Sequence, residues 1–118
     1  MTNLQSNNKS QKFDLEDRTK SFAKEVIKYC RSFENQRDPL INQLLRTGTS
    51  IGANYMEANE CVSKKDFQHK IVICKREAKE TMYWIELISD ECENKDLSRS
   101  LWKEAHELLL IFAAIIRK

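Results

Sequence analysis

The fold is decided by residues 39–59, which read PLINQLLRTGTSIGANYMEAN. In a chain that is 32% charged, this stretch holds only Arg46 and Glu57 as charged residues, and it also holds both glycines and the only proline. A helix with so little charge on any face is typical of a segment that is covered on all sides. The stretch therefore predicts a central packing helix.

The composition of the chain agrees with a helical fold. A length of 118 residues at 41% hydrophobic suits one domain with a modest core. Two glycines and one proline are too few for the many turns of an all-β fold, whereas Lys, Glu, Leu, Ile and Ala favour long helices. The net charge of +2 demands no polyanionic partner. We expect an all-α protein.

Apolar residues recur at three- and four-residue spacing in four segments, which predicts four helices. Short connections favour antiparallel neighbours, so the sequence predicts an antiparallel up-down-up-down four-helix bundle over residues 13–118. Residues 1–12 lack periodicity and are expected to form a disordered tail. The expected boundaries are a first helix capped by Asp14 and ending near Asn35, a second opened by Asp38 and Pro39, a third running from Ser63 to about Asp90, and a fourth capped by Asp96 or Ser98.

Each predicted helix has an apolar stripe that we assign to the core: Leu15, Phe22, Val26, Tyr29 and Phe33; Leu40, Leu44, Gly48, Ile51 and Tyr55; Phe67, Ile71, Cys74, Ala78, Met82 and Ile85; Leu97, Leu101, Ala105, Leu108, Phe112 and Ile115. Further apolar residues project away from these stripes, namely Ile73, Trp84, Leu87, Leu110 and Ile111. Exposed together they would form sizeable apolar patches, which indicates contacts beyond one chain.

The second helix also has a mostly uncharged polar stripe, formed by Gln43, Arg46, Ser50, Asn54 and Glu57. One interpretation is an ordinary solvated face; the other, which we favour because the solvated faces of this chain use Lys and Glu, is close packing. If buried, Arg46 and Glu57 need partners, and the candidates are each other, Asn54 and Glu80. Gly48 and Gly52, one turn apart on this helix, would admit a neighbouring helix or a large side chain.

The four cysteines, at positions 30, 61, 74 and 92, form no CxxC pair and have no histidine at ligand spacing. Cys30 and Cys74 fall on apolar stripes, which indicates reduced core thiols. No secretory signal is recognisable, and the apolar run Leu108–Ile116 is too short to span a bilayer. We expect a cytoplasmic protein with no membrane segment, metal or cofactor.

Two basic clusters favour nucleic-acid binding: Lys20, Lys24, Lys28 and Arg31 on the first helix, and Lys64 and Lys65 at the start of the third, where Lys70, Lys75, Arg76 and Lys79 follow. Clustered cations can contact phosphates of RNA or DNA without reading sequence. The alternatives are an uneven surface charge without a ligand, and a scaffold that binds only protein.

Catalysis is the competing class of function. Its best constellation is Glu57 and Glu80 with His69 or His106, but no Glu-x-x-His pair of the kind that carboxylate-bridged metal bundles use occurs in the chain. No phosphate-binding glycine loop or nucleophile elbow is present either. We expect no catalytic residue and no small-molecule substrate.

Five features of the chain occur together: Leu45-Arg46, Ser50-Ile51-Gly52-Ala53-Asn54, Glu57, Lys65-Asp66-Phe67 and Glu80. In these features the chain resembles the 23S rRNA-intervening-sequence protein family, also known as S23-like four-helix bundle proteins. The resemblance covers about Phe13 to Ile116. It implies a bacterial antiparallel four-helix bundle that assembles as a homopentamer, with Arg46, Ser50, Asn54, Glu57 and Glu80 as a structural polar network near subunit contacts.

The chain departs from the family pattern at two places. Ala58 replaces a glycine, and Cys74-Lys75-Arg76-Glu77 adds bulk and charge to a segment that is small in the family, which bears on how subunits would pack. The biochemical function of the family is poorly defined. The accessory proteins of diversity-generating retroelements are similar in architecture and are associated with nucleic acid, an analogy from fold.

Overall fold

The computed structural model describes residues 10–118, with side chains from residue 15 onward. This part of the chain contains four helices and no strand: α1 is Ser10–Arg31, α2 is Pro39–Glu60, α3 is Lys64–Ser89 and α4 is Lys95–Arg117. The predicted all-α fold is confirmed. The predicted tail lies mostly outside the described residues, although its last three positions belong to α1.

The helices are arranged as an antiparallel up-down-up-down bundle, as the sequence predicted. Each helix packs against the next one along the chain, and α4 packs back against α1. Among the described residues, no Cα atom of α1 lies within 8 Å of one in α3, and none of α2 lies within 8 Å of one in α4, although the rings of Tyr55 and Phe112 meet across the core with centres 6.0 Å apart. These pairs are therefore diagonal, and the outward sides of α1 and α3 lie on opposite sides of the bundle.

The start of α2 and the start of α3 follow the predicted capping. The Asp38 carboxylate accepts a hydrogen bond from the backbone N–H of Leu40 at 2.9 Å, with Pro39 as the first helical residue. The Ser63 hydroxyl accepts from the N–H of Asp66 at 3.0 Å. Both caps satisfy N–H groups that have no partner within the helix.

The start of α4 differs from the prediction. The cap is Asn94, whose side-chain oxygen accepts from the N–H of Leu97 at 3.1 Å. Asp96 already lies in the first turn, where it pairs with Arg99 at 3.1 Å and its negative charge suits the helix dipole. The predicted caps Asp96 and Ser98 were therefore wrong.

Helix α1 begins and ends earlier than predicted. It starts at Ser10, upstream of Asp14, and stops at Arg31 rather than near Asn35. The Gln36 side-chain amide folds back and donates to the carbonyl oxygens of Cys30, at 3.2 Å, and Phe33. Because these bonds serve carbonyl groups at the helix end, the chain can leave the helix there.

The core consists of the predicted apolar stripes. Buried members are Leu15, Phe22, Val26, Tyr29, Leu44, Ile51, Tyr55, Ile71, Cys74, Ala78, Ile85, Leu101, Ala105, Leu108 and Phe112. The other predicted apolar members are half-buried at its edge: Phe33, Leu40, Phe67, Met82, Leu97 and Ile115. The core also contains two polar pairs, Thr81 with Thr47 at 3.0 Å and Tyr29 with Ser98 at 2.6 Å, which satisfy their hydroxyl groups.

The two glycines lie where α2 meets α1. A Cβ atom at Gly48 would come within 2.8 Å of Cγ1 of Val26, and one at Gly52 within 3.0 Å of Oγ1 of Thr19. Each glycine costs the helix about 1 kcal/mol relative to alanine. The close approach of α1 offsets that cost, which confirms the expected close neighbour.

Within one chain α2 is not covered on all sides. Its outward side, which we call the outer face of α2, consists of Leu45, Thr49, Ala53 and Met56. Met56 is 57% exposed. Leu87 and Leu110 are exposed as predicted.

Three members of the predicted apolar surplus behave differently. Ile73 is half-buried. Trp84 and Ile111 are half-buried and pack against the core rather than standing clear of it.

Candidate functional site

The predicted polar stripe of α2 faces α3, and we call this contact the polar seam. Arg46 lies 3.3 Å from the Glu80 carboxylate and 4.0 Å from that of Glu77. Ser50 donates to Glu77 at 2.8 Å. The Arg46–Glu80 pairing was among the predicted contacts, whereas Glu77 was missed. Glu77 lies one turn before Glu80 on the same side of α3, and this spacing could have identified Glu77 as a second partner of α2.

At the other end of the polar seam, Glu57 has a partner that the sequence did not indicate. Glu57 accepts a hydrogen bond from Nζ of Lys70 at 2.6 Å, and this bond raises the pKa of Lys70. Asn54 donates to the Ser50 carbonyl at 2.9 Å, within its own helix. The proposed partners of Glu57, namely Arg46, Asn54 and Glu80, were therefore wrong.

The charges of the polar seam are unequally exposed. The side chains of Arg46 and Glu57 are 57% and 59% exposed, whereas that of Glu77 is 20% exposed. Within one chain the polar seam is therefore a row of ion pairs at the surface, and the carboxylate of Glu77 is its most buried charge. Its hydrogen bonds orient α2 on α3 without enclosing Arg46 or Glu57.

The structure does not assemble the carboxylate site considered as an alternative. Glu57 pairs with Lys70 and Glu80 pairs with Arg46, and positions 70 and 80 are about 15 Å apart along α3. His69 is exposed, and His106 packs against Trp102 with ring centres 5.2 Å apart. The described residues contain no cluster of three His, Cys, Asp or Glu side chains that could hold a metal ion.

The basic ridge, which we define as Lys20, Lys24, Lys28 and Arg31, lies on the outward side of α1, and all four side chains are exposed. Within the described part of the chain, its one ion pair joins Lys28 to Glu25 at 3.7 Å, on the same helix. Lys64 and Lys65 are exposed at the start of α3. Because α1 and α3 are diagonal, the two predicted basic clusters do not form one surface in a single chain.

All four cysteines are free thiols. Cys30 and Cys74 are buried, as predicted, and lack of solvation raises the pKa of Cys30 to about 11 and that of Cys74 to about 12. Each donates a weak hydrogen bond to a carbonyl oxygen of α2, Cys30 to Ile41 and Cys74 to Ile51, both at 3.7 Å. These neutral thiols act as small core residues.

No helix in residues 10–118 combines the length and the apolar character that crossing a bilayer requires. The fold and its surfaces define a class of small antiparallel four-helix bundles, with a hydrogen-bonded polar seam and outward faces that differ in charge.

The chain belongs to the 23S rRNA-intervening sequence protein family, whose model matches residues 11–114. It is also similar to the crystal structure of a protein of unknown function from the S23 ribosomal protein family of Bacteroides thetaiotaomicron VPI-5482. That match has a TM-score of 0.82 and 33% sequence identity, and it covers 88% of this chain and 99% of the other. No curated protein matches the sequence. The resemblance drawn from the sequence is confirmed.

Proposed function

We propose that this chain is a non-enzymatic, self-assembling bundle protein of the cytoplasm that binds the backbone of RNA or DNA without sequence preference. The observation that carries the proposal is the basic ridge of α1. Homopentamers are the assembly that the family resemblance implies, and four free thiols suit a reducing compartment.

The outer face of α2 supports self-assembly. Leu45, Thr49, Ala53 and Met56 follow one another at three- and four-residue spacing with no charged side chain among them, and Leu45 and Met56 are 36% and 57% exposed. An uncharged exposed helix face is unusual in a chain that is 32% charged. Contact with a second copy of the chain would remove this apolar surface from water.

The basic ridge supports phosphate binding. Its residues span Lys20 to Arg31, about 16 Å of helix, and no acidic side chain of another described helix pairs with them. Lys28 pairs only with Glu25 of its own helix, and the other three cations of the ridge have no ion-pair partner in the described chain, so that they are available to replace the counterions of a nucleic acid. An oligomer would repeat the ridge in every subunit, so that weak contacts add up through avidity.

Assembly is tested by light scattering after gel filtration. We expect the wild-type mass to be a multiple of that of the chain, and we expect the Leu45→Lys, Met56→Lys double variant to shift it towards the monomer, because charge on the outer face opposes burial. Val62→Lys, at a fully exposed apolar position in the connection between α2 and α3, is the control and should leave the mass unchanged. A wild-type monomer at micromolar concentration would contradict self-assembly.

Nucleic-acid binding is tested by fluorescence anisotropy with single-stranded RNA and duplex DNA at low and moderate salt. Reversal of Lys20, Lys24 and Lys28 to Glu should weaken binding and reduce the dependence of log K on log salt by roughly 3, about one unit per phosphate contact. Reversal of Arg99, Lys103 and Arg117 on α4 is a control with the same change of net charge. Absence of binding at low salt, or equal losses in both triple variants, would favour the protein-scaffold alternative.

A further inference from the structure

The outward side of α3 combines basic and aromatic side chains. Lys65, Val72, Arg76, Lys79 and Tyr83 recur at three-, four- and seven-residue spacing, which places them on one side of the helix, and all five are exposed. We call these residues the outer face of α3. The exposed fractions of Val72 and Tyr83 are 38% and 53%. The face therefore offers an apolar side chain between cations and, one turn beyond Lys79 at its C-terminal end, an exposed ring, over about 27 Å of helix.

Three carboxylates that border the middle and the C-terminal end of this face are engaged by other helices. Glu77 accepts from Ser50 at 2.8 Å, and Glu80 pairs with Arg46 at 3.3 Å; both bonds run to α2. Glu86 accepts from Nε1 of Trp102 on α4 at 2.7 Å. Within the described chain, none of the cations of the outer face has an acidic side chain within ion-pair distance. The face is thus open to an anionic ligand.

The ring of Tyr83 contacts a neighbouring ring that is itself packed against the core. It packs edge-to-face against Trp84, with ring centres 5.1 Å apart and an angle of 64° between the planes. Trp84 itself packs against the core, and its Nε1 donates to Glu80 at 3.3 Å. An exposed ring that is held in place loses little freedom when a flat ligand stacks on it, and Lys79 lies one turn away along the helix.

We propose that the outer face of α3 binds single-stranded nucleic acid, with Tyr83 stacking on an unpaired base and Lys65, Arg76 and Lys79 contacting phosphates. The inference rests on the proposed function and names its ligand. Cations that contact the backbone, combined with an aromatic ring on which a base stacks, are the general means by which proteins hold single strands, because every base has a face that can stack. A duplex hides those faces between its base pairs, so it would use the cations alone.

The test compares a single-stranded and a duplex oligonucleotide of equal length on wild-type protein and three Tyr83 variants. We expect Tyr83→Ala to weaken single-strand binding about tenfold or more, the range found when a stacking ring is removed. Tyr83→Phe should retain wild-type affinity because it keeps the ring, whereas Tyr83→Leu should bind as weakly as Tyr83→Ala. Duplex affinity should stay the same in all three variants.

Leu110→Ala is the matched control for loss of an exposed apolar side chain, since Leu110 is 52% exposed on α4 and should be neutral in both titrations. Thermal melting followed by circular dichroism verifies that the Tyr83 variants are folded. Single-strand affinity that is unchanged in Tyr83→Leu, or that falls equally for duplex, would overturn the inference. Polyglutamate serves as an anionic probe without bases. If it binds as tightly as the oligonucleotide, and with the same affinity in all Tyr83 variants, the inference is also overturned and the face is assigned to acidic proteins.

Failure of this inference is distinguishable from failure of the proposed function. If neither oligonucleotide binds the wild type, both are wrong. If both oligonucleotides bind through Lys20, Lys24 and Lys28 and no Tyr83 variant changes their affinity, nonspecific binding stands and the single-strand assignment alone is wrong.

Discussion

On its α1 side, α2 presents Gly48 and Gly52, whereas on its α3 side it presents Arg46, Ser50 and Glu57. At the first contact, which we call the glycine seam, a Cβ atom would come within 2.8 Å of Val26, so the position of α1 is set by contact between atoms. At the polar seam, long side chains meet, and in each ion pair one of the two charges is more than half exposed, so that the pairs can shift without loss of contact.

The difference predicts where substitutions will be tolerated. Close-packed interiors respond to the addition of single atoms, because no neighbouring space can absorb them. Exposed ion pairs contribute little to stability, since water solvates the separated charges almost as well. We therefore expect the glycine seam to be sensitive to substitution and the polar seam to be permissive.

Gly48→Leu should lower the free energy of unfolding by about 3 kcal/mol or more, because the new side chain would enter space that Val26 already fills. The measurement is urea denaturation followed by circular dichroism. Asn42→Leu, on an exposed position of the same helix, is the control and should be nearly neutral. A Gly48→Leu protein as stable as the control would mean that α1 does not lie this close to α2.

Alkaline pH should weaken both seams, since each contains a buried thiol bonded to an α2 carbonyl. Folding raises the pKa of Cys30 to about 11 and that of Cys74 to about 12, from an ordinary value of 9.0. The unfolded chain therefore loses these protons first, and stability is full below pH 9 and falls as the pH rises. Between pH 8 and pH 10 we expect a loss on the order of 2 kcal/mol.

The control for the alkaline prediction is the Cys30→Ala, Cys74→Ala double variant. It should start from a lower stability, because two buried side chains are shortened, but it should depend less steeply on pH over the same range. Identical slopes for wild type and variant would show that the two thiols do not titrate on unfolding.

Ser50→Ala should cost about 1 kcal/mol, because it removes the hydrogen bond to Glu77, whose carboxylate is 20% exposed. The same denaturation assay measures it. Thr49→Ala is the matched control: its hydroxyl bonds only to carbonyl oxygens of its own helix, and we expect a much smaller change. Equal effects would indicate that Glu77 obtains its hydrogen bonds from water.

Much of the glycine seam could be predicted from the sequence. The apolar stripe of α2 passes through Gly48, and a glycine on a core stripe needs a close neighbour to offset its cost to the helix. The stripes of the other helices named the core correctly because burial follows helical periodicity. The stripes could not predict that the neighbours of the two glycines are Val26 and Thr19, because this depends on the position of α1 along the axis of α2.

The contacts of the polar seam could be predicted less well, because they too depend on the relative position of two helices. Which acid meets Arg46 and which base meets Glu57 depends on the register of α2 and α3, and packing of the core and the residues 61–63 connection set that register. A shift of one turn would give Glu57 another partner. The cap of α4 is a related case, because Asn94, Asp96 and Ser98 are all good capping residues and local preference does not rank them.

The smallest expected effect is that of Arg46→Ala on the stability of a single chain. The side chain is 57% exposed, so its pairing with Glu80 contributes about 0.5 kcal/mol or less, and Glu80 keeps its bond from Trp84. The same variant is informative about assembly, because a charge that matters little within one chain can matter between chains. If Arg46→Ala lowers the oligomer mass in light scattering while the monomer stays equally stable, the polar seam acts between subunits, as the family resemblance implies. An unchanged mass would restrict the seam to the contact of α2 with α3 and leave assembly to the outer face of α2.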